Sequence, residues 1–154
     1  MSVLANGPGD DSITVEATFP SSPARVFRAW TDSEEIKKWF GSEPGELESA
    51  TVDLRPGGEW RFTERTSAAG SVGFEGHYIE IDPDVALIFS WSKFSSDVSG
   101  QRASTPHSRV EVRFAAVPDG THMTIVHSAI DDEQVRSDFG RGWARALPNL
   151  AVVV

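Results

Sequence analysis

The feature that most constrains this chain is the stretch Ser49–Arg65, which reads SATVDLRPGGEWRFTER. Apolar and polar residues alternate before a Pro-Gly-Gly sequence at 56–58 and again after it, through Trp60 and Phe62. Two segments of period two around a glycine-containing turn predict a β-hairpin. Because successive side chains of a strand point to opposite faces, Trp60 and Phe62 should share one face of the second strand.

Bulky residues recur in the same phase on the strands predicted next. Phe74 and Tyr78 share one face of their strand, and Leu87, Phe89 and Trp91 share one face of the following strand. Rings of this size on one side of a sheet predict a curved surface that must enclose something large, either a helix or a ligand. The pattern predicts the curved sheet but does not show whether a helix or a ligand lies against it.

Composition limits the classes of function. The 154 residues fit one domain, and the absence of cysteine excludes disulfides and thiolate chemistry. A net charge of −9 and a pI of about 4.8 disfavour binding to nucleic acid or to an anionic membrane surface. The N-terminal residues lack the basic start and apolar run of a signal peptide, and no apolar stretch is long enough to span a bilayer. We therefore expect a cytoplasmic protein.

The chain begins with a flexible tail, residues 1–11, and continues as a single domain, residues 12–154. The first strand is Ile13–Phe19, and two short helices follow it. Ser22 is the expected N-cap of the first helix and Asp32 of the second. Six more strands are predicted at 49–54, 59–66, 72–82, 85–93, 108–117 and 121–128, with a mobile loop at 95–106.

A long last helix should open at residues 131–133, because three acidic residues there suit a helix N-terminus. Its apolar stripe includes Phe139, Trp143 and Leu147, and Pro148 should kink or weaken it. The order predicts an α+β fold in which a curved, seven-stranded antiparallel sheet wraps around this helix.

Five segments of the sequence, taken in order, resemble one known family: WTDSEEIKKWFG, VDLRPGGEWRF, FEGHYIEIDPDVALIFSW, VEVRF and GWARAL. They are similar to the activator of heat-shock protein 90 ATPase homologues, within the START-like (Bet v 1-like, SRPBCC) superfamily. The resemblance covers Ile13 to Leu150. It implies a helix-grip fold with an elongated, mostly apolar cavity between the sheet and the last helix. The founding eukaryotic activators carry an additional N-terminal domain for chaperone contact, for which these 154 residues have no room.

The polar chemistry offers two groups in phase with the aromatic face. His127 shares a face with Met123 and could orient a ligand or act as a general base, or it could be a structural histidine. Glu64 follows Trp60 and Phe62, so it either lies near the cavity with a raised pKa or is exposed or paired with an arginine. His77, Arg141 and Arg145 are expected on the surface. The candidate cavity residues are Trp30, Trp39, Phe40, Trp60, Phe62, Glu64, Phe74, Tyr78, Phe89, Trp91, Met123, His127, Phe139, Trp143 and Leu147.

Three functions are compatible with these residues. The first is binding of a small apolar or aromatic molecule in an internal cavity. The second is an enzyme on the same cavity, of a cyclase, dehydratase or hydrolase type, using His127 or Glu64 with Tyr78. The third is a stress-related co-chaperone of heat-shock protein 90. The sequence predicts no metal and no cofactor, assigns no catalytic residue, and leaves a homodimer open.

Overall fold

A computed structural model describes residues 4–6, 11–41 and 45–154, the first three through their backbone alone. Within these residues it has nine strands and three helices. The strands are β1 Leu4–Asn6, β2 Ile13–Phe19, β3 Leu47–Val52, β4 Glu59–Glu64, β5 Ser71–Asp82, β6 Ala86–Ser96, β7 Arg102–Ser104, β8 Ser108–Val117 and β9 Gly120–Ser128; the helices are α1 Pro23–Thr31, α2 Ser33–Trp39 and α3 Glu133–Val153. Of the tail predicted at 1–11, residues 1–3 and 7–10 lie outside the described residues.

All the strands of the described residues belong to one antiparallel sheet. Its order is β1-β2-β9-β8-β6-β5-β4-β3, and β7 pairs with the end of β6. The predicted α+β class is confirmed, with a curved sheet and a long C-terminal helix. The antiparallel pairing of β2 with β9 places a strand from the first part of the chain beside the strand that precedes α3.

The sequence predicts seven of these strands, and β1 and β7 are additional. The mobile loop predicted at 95–106 is wrong in part, because β6 extends to Ser96 and β7 returns along it, with Phe94 opposite Ser104. The strand continues here because Phe94 is a buried anchor, with only 6% of its surface exposed. The guanidinium groups of Arg61 and Arg102 lie over its ring at 5.1 and 4.6 Å, so a polar segment covers an apolar anchor.

The predicted helix starts are confirmed. The side chain of Ser22 accepts a hydrogen bond from the backbone N–H of Arg25 at 3.2 Å. Asp32 caps α2, and Asp132 caps α3 by accepting from the N–H of Val135 at 2.9 Å. Each cap satisfies a donor that the first helical turn leaves free. Helix α3 then continues through Pro148 to Val153.

Helix α3 packs on the aromatic face of the sheet. The inward phase predicted for the strands is confirmed at Trp60 and Trp91, which are 2% and 4% exposed. Trp143 of α3 lies 5.2 Å from Trp91 between ring centroids, at an angle of 41°. The space between sheet and helix is therefore where the largest side chains meet.

Candidate functional site

A pocket of about 300 Å³ lies between α3 and the end of the sheet formed by β4, β5 and β6. Its floor is made by Phe40, Phe74, Trp91, Phe139 and Trp143. The rings of Phe74 and Trp91 are 4.8 Å apart, and Phe40 lies 5.4 Å from Phe74. Three parts of the fold contribute rings to this floor: the residue that follows α2, strands β5 and β6, and helix α3. An aromatic floor of this kind suits a flat apolar molecule.

The rim of this pocket is charged, with both signs present. It includes Glu46, Glu64, Lys93, Asp138, Arg141 and Arg145. Arg141 pairs with Asp138 within the helix. Partial burial raises the pKa of Glu64, Glu46 raises it further by repulsion, and Lys93 opposes both. The carboxyl group predicted near the cavity thus lies on the rim of this pocket.

A second space lies deeper under the sheet and is almost filled. It measures about 10 Å³ and is enclosed by Trp30, Trp39, Trp60, Tyr78 and Phe89, among others. Phe40 and Trp91 line this void as well as the larger pocket, so their side chains stand where the two spaces adjoin. Rings fill most of the interior that the resemblance implies as an elongated cavity.

The indole N–H groups in this core differ in their partners. Trp39 donates to the carbonyl oxygen of Ala29 at 2.8 Å, and Trp30 donates to the sulfur of Met123 at 3.2 Å. The buried Nε1 atoms of Trp60 and Trp91 have no hydrogen-bond partner among the described residues. Their rings are neighbours, with centroids 5.6 Å apart.

His127 is fully buried and both of its ring nitrogens are engaged. Trp143 Nε1 donates to Nδ1 at 3.1 Å, so Nδ1 carries no proton and Nε2 donates to the hydroxyl of Ser108 at 2.7 Å. The ring stacks on Phe139 at 5.0 Å. Burial lowers the pKa of His127 to about 3, which keeps the imidazole neutral. These contacts fit the structural alternative considered for this residue.

The structure divides the predicted cavity residues into three groups. Six of them line the 300 Å³ pocket, and six others line the inner void but not this pocket. Met123, His127 and Leu147 are fully buried and line neither space. Tyr78 belongs to the inner void, where burial raises its pKa, while Glu64 belongs to the rim. The pairing of Glu64 with Tyr78 at one site, considered for an enzyme, is therefore split between two spaces.

Sequence reasoning missed most of the rim. Lys93 lies two residues after Trp91 on β6, so the period of the strand could have identified it. Arg141 and Arg145 are exposed as predicted, yet they flank the helix stripe closely enough to line the pocket. Gly142 and Ala146 also line it, and their spacing from Phe139 follows the helix repeat.

Two further depressions, of about 530 Å³ each, lie over the β3–β4 hairpin and neighbouring strands. Their linings are mainly polar or charged and include Arg61 and Glu75 in one and Asp53 and Arg55 in the other. No group of three or more metal-ligating side chains is found among the described residues. In the same part of the chain, no helix has the length and hydrophobicity to cross a membrane.

Known structures resemble this fold along most of its length. A protein from Rhodobacter sphaeroides aligns with a TM-score of 0.79 at 16% identity, covering 98% of this chain and 96% of that one. A protein from Rhizobium leguminosarum aligns with a TM-score of 0.72 at 26% identity, covering 99% and 95%. DynU16, from the dynemicin biosynthetic locus, aligns with a TM-score of 0.71 at 19% identity over 93% of this chain and 46% of its own.

No curated protein matches the sequence significantly. The family model described as Activator of Hsp90 ATPase homolog 1-like protein matches residues 20–154. That span runs from the turn before α1 to the last residue of the chain, and it contains the hairpin, the aromatic strands and α3. The chain therefore belongs to the family of Activator of Hsp90 ATPase homolog 1-like proteins.

Proposed function

We propose that this protein binds a small, largely apolar molecule with an aromatic or other flat ring system in the pocket between the sheet and α3. The observation that carries this proposal is the pocket itself, about 300 Å³ over a floor of aromatic rings. That volume lies at the lower end of the usual range for small-molecule sites, roughly 300–1,000 Å³. Burying a flat apolar molecule against these rings supplies the binding free energy.

The shape of the site supports a small molecule rather than a protein segment. Phe139 and Trp143 come from α3 on one side, and Phe74 and Trp91 come from the sheet on the other. The ring of Trp91 lies 5.2 Å from that of Trp143 and 5.9 Å from that of Phe139, so helix and sheet together form one aromatic surface on which a flat ring can stack. DynU16, which shares this fold, comes from a biosynthetic locus, and this setting is consistent with a small-molecule ligand.

The other functions receive less support from the geometry. For an enzyme, Glu64 is the one predicted acid–base group at the pocket, since His127 is sealed behind Phe139 and Trp143. For a chaperone contact, the large apolar side chains exposed among the described residues are five in number: Leu54, Ile79, Val85, Val98 and Val152. The chaperone contact and the homodimer stay predictions of the sequence.

Binding is tested with two neutral bicyclic probes, 1-tetralone and tetralin, titrated into the full chain while tryptophan fluorescence is followed. Trp91 and Trp143 form part of the floor, so binding should quench their emission. Gly142 offers a blocking position, because a Cβ added there meets no atom within 4 Å. We expect Gly142→Phe to weaken binding of both probes by at least about tenfold, which corresponds to 1.4 kcal/mol.

Two variants control for effects of the helix alone. Gly142→Ala adds helix propensity without filling the pocket, and Ala144→Phe places the same ring on an exposed position of α3 outside the pocket lining. Both should bind the probes like the unmodified protein. The proposal fails if neither probe quenches fluorescence, or if Gly142→Phe binds as well as Ala144→Phe.

A further inference from the structure

We infer that the natural ligand carries a neutral hydrogen-bond acceptor, a carbonyl or ether oxygen, which the indole N–H groups of Trp60 and Trp91 recognise. This inference rests on the proposed binding function and adds the polar chemistry of the ligand to it. Its basis is that the tryptophans of the core differ in whether the indole N–H has a hydrogen-bond partner. The buried Nε1 atoms of Trp60 and Trp91 have no partner among the described residues, whereas the other three tryptophans have one.

An unpaired donor in a core is unfavourable, because the group has lost its hydrogen bonds to water and has gained none in return. The two rings that carry these donors are neighbours, with the centroids of Trp60 and Trp91 5.6 Å apart. The N–H of Trp39, a residue that lines the same void, is by contrast satisfied by the carbonyl oxygen of Ala29 at 2.8 Å. The pair on β4 and β6 is left for an acceptor that comes from outside the chain.

The position of the pair connects it to the pocket. Trp91 lines both the 300 Å³ pocket and the inner void, and Trp60 lines the inner void next to it. Phe40 also lines both spaces, at 5.8 Å from Trp91. A ring seated in the pocket with its oxygen directed inward would reach this boundary, and a shift of the Phe40 side chain would open it.

The charge of the acceptor follows from its surroundings. The floor is aromatic, and the charged residues of the pocket, including Glu64, Lys93, Arg141 and Arg145, lie on its rim. Among the described residues no cation lines the inner void, so a carboxylate or phosphate directed inward against the indole rings would lose its hydration away from the rim cations. A carbonyl or ether oxygen loses much less hydration and accepts well from an indole N–H. The site therefore favours ketones, quinones, lactones or aryl ethers over acids.

The two probes differ in this feature, since 1-tetralone has a ketone where tetralin has a methylene. In ¹⁵N-labelled protein, 1-tetralone should shift the indole N–H resonance of Trp91, Trp60 or both downfield, while tetralin should not. The resonances are assigned with Trp60→Phe, Trp91→Phe and Trp39→Phe. The N–H of Trp39 already has a partner, so its resonance should show no downfield shift specific to the ketone.

Affinity gives the second readout, as the ratio of the dissociation constant of tetralin to that of 1-tetralone. A change in packing that weakens both probes equally leaves this ratio unchanged, so the ratio reports the interaction with the ketone. We expect Trp91→Phe or Trp60→Phe to lower this ratio by about two- to tenfold, the effect of one hydrogen bond, and Trp39→Phe to leave it unchanged.

The outcomes separate the two proposals. If both probes bind but no indole resonance responds to the ketone and the ratio is the same in all variants, the inference is overturned and the binding function stands. If neither probe binds, both fall together. Should Trp91→Phe fail to fold, the resonance shifts in the unmodified protein and the ratio in Trp60→Phe still decide the matter.

Discussion

At the scale of single residues, His127 shows how burial decides chemistry. The imidazole accepts from Trp143 and donates to Ser108, and its ring lies flat on Phe139. Ser108 in turn donates to the carbonyl oxygen of Trp91 at 3.3 Å, which completes a chain of four groups across the core. A proton added at Nδ1 would break the first bond of the chain and place a charge that no carboxylate of the described residues pairs with.

This arrangement predicts a dependence of stability on pH. The pKa of His127 is about 3 in the folded protein and about 6.5 in the unfolded chain, so between these values the unfolded chain binds more protons. The contribution of neutral His127 to the free energy of unfolding is complete above pH 6.5 and is lost as the pH falls toward 3. Between pH 7.5 and 5.0 we expect the free energy of unfolding to drop by about 2 kcal/mol on this account, measured by urea denaturation.

The matched variants are His127→Gln, which cannot titrate, and His107→Gln, which changes an exposed histidine. His127→Gln should be less stable at pH 7.5 and should lose less stability on acidification. His107→Gln should keep the pH dependence of the unmodified protein. An equal drop in all three proteins would show that His127 is not the group that titrates.

At the scale of elements, the Pro-Gly-Gly turn does more than join β3 to β4. The N–H of Gly57 donates to the carbonyl oxygen of Tyr78 at 2.7 Å, and the N–H of Tyr78 donates to the carbonyl oxygen of Gly58 at 2.9 Å. The turn therefore extends the pairing of β4 with β5 as far as Tyr78. Directly after Tyr78, the pairing of β5 with β6 shifts its register. Its two glycines are needed for different reasons, one for its dihedral angle and one for space.

A pair of substitutions separates these reasons. Gly57 has φ of +81° and open space around it, so Gly57→Ala should cost about 1–2 kcal/mol from the backbone alone. A Cβ on Gly58 would lie 2.0 Å from the carbonyl oxygen of Asp53, so Gly58→Ala should cost more, about 2–3 kcal/mol. Gly100→Ala, with φ of +88° and open space, is the control for the first effect.

Urea denaturation of the three variants measures these costs. If Gly58→Ala is no less stable than Gly57→Ala, the close approach to Asp53 does not limit this turn. The comparison also bears on the sheet, because a displaced turn would loosen the strand that carries Trp60.

At the scale of the whole molecule, a single carboxylate ties the helices together. Glu35 on α2 is 7% exposed and pairs with Arg25 at 2.6 Å and with Arg28 at 2.9 Å, both on α1. Arg25 also donates to the carbonyl oxygen of Val153 at 2.9 Å, near the end of α3. Helices that are distant in sequence thus share one polar cluster at the end of the core.

Neutralising this carboxylate should destabilise the whole domain. Glu35→Gln leaves Arg25 and Arg28 without a charged acceptor, and we expect a loss of about 1–3 kcal/mol in the free energy of unfolding, since both arginines remain partly hydrated. The control is Glu34→Gln, on the exposed side of the same helix, which should change stability by less than about 0.5 kcal/mol. Equal stability of the two variants would contradict the role given to Glu35.

Much of this architecture follows from local patterns. The caps at Ser22, Asp32 and Asp132 could be predicted because an N-cap depends on residues within one turn. The face on which Trp60 and Trp91 lie could be predicted because strand alternation is local as well. Strand β7 could not, since its three exposed residues have no pattern of their own and depend on pairing with β6.

The fold class, the inward aromatic set and the absence of cysteine chemistry could therefore be predicted from the amino-acid sequence, because periodicity and composition are read over short distances along the chain. Only the packing of distant elements shows which aromatic rings fill the interior and which surround the pocket, how Lys93 and Arg145 come to its rim, and that His127 is sealed. It also decided that Trp60 and Trp91, alike in phase and burial, keep unpaired N–H groups. Whether a buried donor finds an acceptor depends on groups that distant strands and helices bring beside it, and that information appears only when they pack.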